Sequence, residues 1–250
     1  MDGPRQICEL GICDGSGFVV DEETLTARDC GCRPARIAQA RARSLEARIP
    51  ARYRAISFEH SDVIDMERRF PTQVRELRSY VRELGANLDA GRGLWLTGGF
   101  GTGKTALAMI VSRAAIDRGR SVAIYSCPRL LAMIRESIDS PSRASAQFGG
   151  QAAHGAGGVL DFLDQLAAVD LLHIDDLGAE HRTEWVLEQL YSIVNARYQE
   201  ERATLITSNL SRDELAEQLG ERIVSRLEGC CLLLPFYGTD ARRVDYPLAS

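Results

Sequence analysis

The segment Gly98-Gly99-Phe100-Gly101-Thr102-Gly103-Lys104-Thr105 carries the most explicit chemistry in this sequence. Its glycines let the backbone curl so that successive N–H groups point inward and cradle a phosphate. The helical pattern after it adds the partial positive charge of a helix N-terminus. The spacing fits G-x-x-x-x-G-K-[ST] directly behind an apolar run, the context in which that motif holds a nucleoside triphosphate. On this reading Gly98, Gly99, Gly101, Thr102, Gly103, Lys104, Thr105 and Ala106 bind ATP. Lys104 reaches the β- and γ-phosphates, and the Thr105 hydroxyl ligates Mg2+. Lys104 is also the single lysine of the chain, although arginine is abundant throughout. A compositional bias that spared one lysine, at this position, leaves that exception to be explained by chemistry.

About 70 residues further on, Leu171-Leu172-His173-Ile174-Asp175-Asp176 is an apolar run ending in two acids. A carboxylate at the carboxyl end of a strand beside the phosphate-loop strand can hold magnesium through its water shell, which assigns Asp175. The second acid, Asp176, is then placed to polarise the attacking water. His173 reads as a core histidine with no role assigned. Leu205-Ile206-Thr207-Ser208-Asn209 ends another apolar run in a polar cluster. Asn209 can stand between the γ-phosphate and the water as a sensor, or the cluster can be a strand end leading into a helix capped at Ser211.

These groups need a frame that brings them to one place. Strand patterns cover Leu94–Thr97, Val122–Ser126, Leu171–Asp175, Thr204–Thr207 and Cys231–Leu234. Helical periodicity covers Lys104–Arg118, Pro128–Ile138, Val159–Ala168, Glu184–Glu200 and Arg212–Leu219. The alternation predicts an α/β fold in which a parallel sheet is covered by helices on both faces. A further helical pattern spans residues 62–88, and Gly91–Gly93 mark the turn into the main domain. Residues 139–158, rich in Gly, Ser and Ala, read as a flexible loop.

The chain has 250 residues, room for one full α/β domain and a small appendage, and 45% apolar with 26% charged residues is ordinary for a globular protein. A net charge of −5 gives no overall cationic field, so any nucleic-acid contact must come from a local patch. Neither a charged-then-apolar leader nor a bilayer-length apolar run is visible, so a cytoplasmic location without membrane insertion is expected.

Seven cysteines, an odd number, argue against a disulfide scaffold. Cys8-x4-Cys13 and Cys30-x-Cys32 can supply four thiolates to one zinc, a staple for a segment with few apolar residues. Free thiols in a tail are the alternative. Residues 33–54 come next, with seven arginines against the single acid Glu46, and Ile37, Leu45 and Ile49 form a narrow apolar stripe. This pattern predicts a basic helix that Pro50 ends. The domain reading is an N-terminal Cys-rich module with a basic helix over 1–54, expected to dock a partner, the helix equally able to grip DNA phosphates, and an ATPase domain over 55–250.

The order of motifs resembles the AAA+ ATPases of the DnaC/DnaI helicase-loader type, with the IstB transposition helpers as near relatives. The resemblance runs from about Ile49 onward and rests on Ile49–Tyr53, Gly101–Thr105, Ile174–Glu180, Thr183–Trp185, Asn195–Tyr198, Thr207–Leu210, Leu219–Leu227 and Gly238–Arg242. It implies an AAA+ P-loop core with a five-stranded parallel sheet and a reduced lid. It also implies that Arg226 is an arginine finger reaching the ATP of a neighbouring subunit, that Arg242 is a sensor-2 arginine for its own nucleotide, and that Asn209 is sensor 1. The family's loop associated with single-stranded DNA corresponds to Arg129–Gly158, with Arg129, Arg135, Arg143 and Phe148. Loaders of the DnaI kind carry an N-terminal metal knuckle, to which Cys30-Gly31-Cys32 is similar. The first pair departs from the usual Cys-x2-Cys, with Leu10 in the expected place.

The function implied is an ATP-dependent replication factor that loads or remodels a replicative hexameric helicase of the DnaB type on single-stranded DNA, with self-association through the trans arginine. An IstB-like helper of a DNA transposase is the alternative. A small-molecule P-loop kinase fits less well, because the paired acids and the trans arginine speak against it, and an ATP-gated adaptor with little turnover is a fourth reading.

Overall fold

The computed structural model describes residues 8, 10–21, 26–33, 49–139 and 157–238. At the N-terminus, β1 (Phe18–Asp21) pairs antiparallel with β2 (Thr26–Asp29) in a small hairpin. The amino-acid pattern carries little sign of it, because these strands are four residues long and β2 is exposed along its whole length. The predicted basic helix falls mostly on residues 34–48, outside the described residues, and Pro50 leads into a single 3-10 turn, Ala51–Tyr53.

The helical pattern over 62–88 resolves into three helices: α1 (Ser61–Arg69), α2 (Pro71–Arg82) and α3 (Leu84–Asp89). Phe70 leaves the helical region, with φ −132° and ψ 58°, and Pro71 takes the first position of α2. Proline tolerates that position because its missing N–H would have no partner there.

The main domain then alternates strands and helices in chain order: β3 (Gly93–Thr97), α4 (Lys104–Asp117), β4 (Val122–Ser126), α5 (Cys127–Asp139), α6 (Gly157–Ala168), β5 (Leu171–Asp175), α7 (Glu184–Gln199), β6 (Ala203–Ser208), α8 (Arg212–Leu219), α9 (Glu221–Cys230) and β7 (Cys231–Pro235). The five strands form one parallel sheet in the order β4-β5-β6-β3-β7. Contrary to the expectation from the sequence, the strand carrying Asp175 does not lie beside the phosphate-loop strand, because β6 pairs with both β3 and β5 and separates them. Local apolar pattern identifies a strand but not its neighbours, which the crossover helices decide.

Period-two alternation sends side chains to two separate cores. Leu94, Leu96, Leu171 and Leu205 pack with α1 to α4 on one face. Trp95, Leu172, Ile174 and Ile206 pack with α5 to α9 on the other. Both faces of the strands are therefore apolar, which is why they read as continuous runs. Helix α4 is buried along most of its length, including Leu107 to Ser112. All carboxyl ends of the strands point the same way, and in such sheets the crevice outside those ends takes the ligand.

Candidate active site

The loop from β3 to α4 is shaped by glycine where other residues would not fit. Gly98 has φ 139°, and a Cβ there would strike the backbone of Phe236. Gly103 has φ 91°, and a Cβ there would strike the Met66 side chain of α1. Helix α4 starts immediately after Gly103 with no side chain capping it, so its first-turn N–H groups face the loop.

Lys104 is buried and its ammonium donates to Gly98 O at 2.8 Å, Gly99 O at 2.7 Å and Asn209 Oδ1 at 3.0 Å. Asn209 Nδ2 donates onward to Asp176 Oδ1 at 2.5 Å. Beside this chain, the Thr207 hydroxyl donates to Asp175 Oδ1 at 2.7 Å and accepts from the Asp176 backbone N–H at 2.9 Å. The ends of β3, β5 and β6 are thus joined in one polar network. The end of the intervening strand β6 supplies Thr207, and the residue just beyond the strand supplies Asn209.

Asp176 sits at φ 61°, in the left-handed region. Aspartate tolerates that region better than most residues, yet such a position stores on the order of 1 kcal/mol of strain. It turns the carboxylate towards Asn209 and the loop. Burial, and then the neighbouring Asp175, hold the Asp176 carboxyl above its ordinary range, against the pull of Lys104. Burial pushes the His173 imidazole down to about 4, so this side chain is neutral at physiological pH.

A pocket of about 830 Å³ opens over these groups, within the range of small-molecule sites. Its wall includes Gly101, Gly103, Lys104, Thr105, Ala106, Asp175, Asp176 and Asn209. The opposite wall has no motif to announce it in the sequence. It is built by Arg52, Tyr53, Ile56, His60, Met66 and Arg69, with the Arg52 guanidinium over the Tyr53 ring at 4.6 Å. Only the Ile49–Tyr53 segment hints at it. Thr105 and Asp175 offer a hydroxyl and a carboxylate to the same pocket, a hard-oxygen donor set suited to magnesium.

Arg226 is not part of this pocket. It lies half-buried on α9 against α7, where Nε donates to Asn195 Oδ1 at 2.7 Å and Nη2 to Tyr191 OH at 2.9 Å, with the guanidinium over the Tyr191 ring at 4.7 Å. Sequence reasoning finds the arginine and misses these two holders, whose i,i+4 spacing on one helix is an ordinary pattern. Arg197, within the Asn195–Tyr198 segment, is structural. It is buried and donates to the carbonyls of Leu166, Ala167 and Val169 at the end of α6, and to Thr204 and Ala203 on β6. Arg129 is exposed on α5, and Arg135 rests over the Trp185 ring at 4.7 Å. Arg143, Phe148 and Arg242 lie outside the described residues.

The sulfurs of Cys8, Cys13, Cys30 and Cys32 lie within 4.8 Å of one another. Cys8 and Cys30 are 3.9 Å apart, and Cys13 and Cys32 are 3.6 Å apart. Four thiolates on a tetrahedral zinc at ~2.3 Å stand roughly 3.8 Å apart, so the donor set fits that ion. The longer first spacing is absorbed by a turn in which Gly11, at φ 64°, donates its N–H to Cys8 O. Backbone N–H groups, that of Cys13 first, hold the Cys8 thiol down to about 6, whereas burial and the neighbouring thiols push the Cys32 thiol up to about 12.

The fold and the phosphate loop define an AAA+ P-loop domain. The chain belongs to the family of IstB-like ATP binding proteins, whose model matches residues 22–227. It is similar to the replicative helicase loader DnaC of Escherichia coli (strain K12), with 26% identity over 150 residues, 60% of this chain and 54% of that protein. It is likewise similar to the replicative helicase loader DnaI of Bacillus subtilis (strain 168), with 26% identity over 162 residues, 64% of this chain and 45% of that protein. The chain thus spans about half the length of the curated relatives it matches. Among solved structures, the DnaC helicase loader superposes with a TM-score of 0.58 at 23% identity, covering 75% of this chain and 99% of that one. AMPPCP-bound DnaA from Aquifex aeolicus gives 0.55 at 21% identity, covering 73% of this chain and 50% of that one. At such identities these structures speak for the fold. No helix among the described residues is long and apolar enough to cross a membrane.

Proposed function

We propose that this chain is a magnesium-dependent ATPase of DNA replication that loads or remodels a replicative hexameric helicase on single-stranded DNA, in the cytoplasm. The observation that carries the ATPase reading is the single network joining Lys104, Asn209, Asp176, Thr207 and Asp175 beneath one pocket. Lys104 exchanges its two loop carbonyls for phosphate oxygens, and the first-turn N–H groups of α4 take the anion beside it. Thr105 and Asp175 would hold magnesium, which would offset charge on the transferred phosphoryl group. Asp176 orients the attacking water and draws on its proton, while Asn209 links that carboxylate to Lys104. Arg226 completes a neighbouring subunit's site, and Arg242 acts on the nucleotide of its own subunit.

The loader reading rests on the DnaC and DnaI relatives and on the four-sulfur module, which plain transposition helpers usually lack. The family description, IstB-like, favours the alternative of a transposase helper. The distinguishing experiment is capture of the replicative helicase encoded in the same genome by the immobilised full chain, with ATP and magnesium. Capture is expected, and stripping zinc with a zinc-selective chelator, magnesium being kept in excess, should abolish it while ATPase activity stays within about twofold, since a metal on the four thiolates would supply the folding energy of the hairpin module. No helicase capture, with capture of a transposase encoded alongside, would establish the alternative.

A further inference from the structure

His173 is fully buried on β5, two residues before Asp175, and its neighbours in register are Ile124 and Leu205. An aliphatic side chain would fill this position without the cost of burying a polar ring. Instead the ring meets a second fully buried polar group, Ser112 on α4, with Nδ1 at 2.9 Å from the serine Oγ. Ser112 and Lys104 lie on the same helix, so this contact ties the phosphate-loop helix to the strand of the acidic pair.

The other ring nitrogen is the informative one. Nε2 is buried, has no hydrogen-bond partner, and lies 3.9 Å from Asp175 Oδ1. A lone pair facing a carboxylate is repulsive, so the neutral ring carries its proton on Nε2 and accepts the Ser112 hydroxyl at Nδ1. The N–H then looks at the same oxygen that the Thr207 hydroxyl already holds at 2.7 Å. A buried N–H left unpaired is unfavourable, and a small turn of the Asp175 carboxylate towards it satisfies both groups.

We propose that His173 is a positioning residue for the magnesium-binding carboxylate: its Nε2–H, oriented by Ser112, restrains Asp175 Oδ1 together with Thr207 and presents the second oxygen to the pocket. The inference rests on the assignment of Asp175 to magnesium. It explains a buried imidazole that the phosphate chemistry itself does not use. Partners that orient metal ligands typically contribute tenfold or more to metal affinity.

The two ring nitrogens can be separated by substitution. His173→Gln places an amide N–H where Nε2 stands, whereas His173→Asn keeps a group at the Nδ1 position only, and His173→Leu keeps neither. The measurement is binding of a fluorescent ATP analogue to the full-length protein, first in EDTA and then against rising magnesium, with thermal melting as the check on folding. The glutamine variant should keep the parent's magnesium half-saturation. The asparagine and leucine variants should need about tenfold more magnesium, with binding in EDTA unchanged. Should the leucine variant not fold, the comparison of glutamine with asparagine decides. Identical magnesium curves for those two, whether like the parent's or equally shifted, would overturn the proposal. Asp175→Asn in the same titration tests the underlying reading separately. If that variant leaves the magnesium curve unmoved, the metal assignment fails rather than the role of His173 alone.

Discussion

Lys104→Ala should weaken ATP binding by at least about tenfold and bring turnover to background. A hydrogen bond from a charged donor contributes about 1.5–3 kcal/mol, and 1.4 kcal/mol is a factor of ten in affinity. On ATP binding the Lys104 ammonium gives its bonds to Gly98 O and Gly99 O over to phosphate oxygens, and no other lysine exists in the chain to substitute for it. The change also frees Asn209 from one side, so the Asp176 carboxylate loses part of its orientation. Titration with a fluorescent nucleotide, alongside a phosphate-release assay, measures both effects. Unchanged ATPase activity in this variant would remove the phosphate-site assignment.

Arg226→Ala should behave differently, with ATP binding within about twofold of the parent and turnover lower by ~10³, the scale of an arginine supplied in trans. The basis is position: Arg226 lies on α9 against α7, away from the pocket wall of its own subunit. Its guanidinium is half-buried and held in a fixed direction by Asn195, Tyr191 and the Arg222 carbonyl. Loss of those ties costs about 1 kcal/mol of stability, which thermal melting would register without loss of the fold. Arg226→Lys should fail almost as badly, because an ammonium keeps the charge but not the planar fork. Mixing the Lys104→Ala and Arg226→Ala proteins should restore part of the activity, since each supplies what the other lacks. Equal loss of binding and turnover in Arg226→Ala would place the residue in its own subunit's site or in folding.

Much of the fold is legible in the sequence because both faces of the central strands are covered. That burial makes β4 and β5 continuous apolar runs whose predicted bounds match the structure, and Ser211 with Glu214 marks the start of α8 by a capping box. The order of the strands is not legible, since nothing local tells β6 to insert between β3 and β5. For the same reason the roles of Thr207 and Asn209 stay ambiguous until β6 brings them between Lys104 and the acids. Tertiary contacts also hide the second pocket wall, where Met66 on α1 closes on Gly103, and the hold of Tyr191 and Asn195 on Arg226. The cysteine module is legible as a donor set, while the hairpin that presents it is too short and too exposed to leave a pattern.

The most direct test of the central claim, an AAA+ ATPase whose site is completed by a neighbouring subunit, is the ATPase rate per subunit against protein concentration, with and without single-stranded DNA. A rate that climbs with concentration, and climbs again with DNA, is the result the account predicts. A rate flat in both would contradict it and describe an enzyme whose site is complete in the monomer.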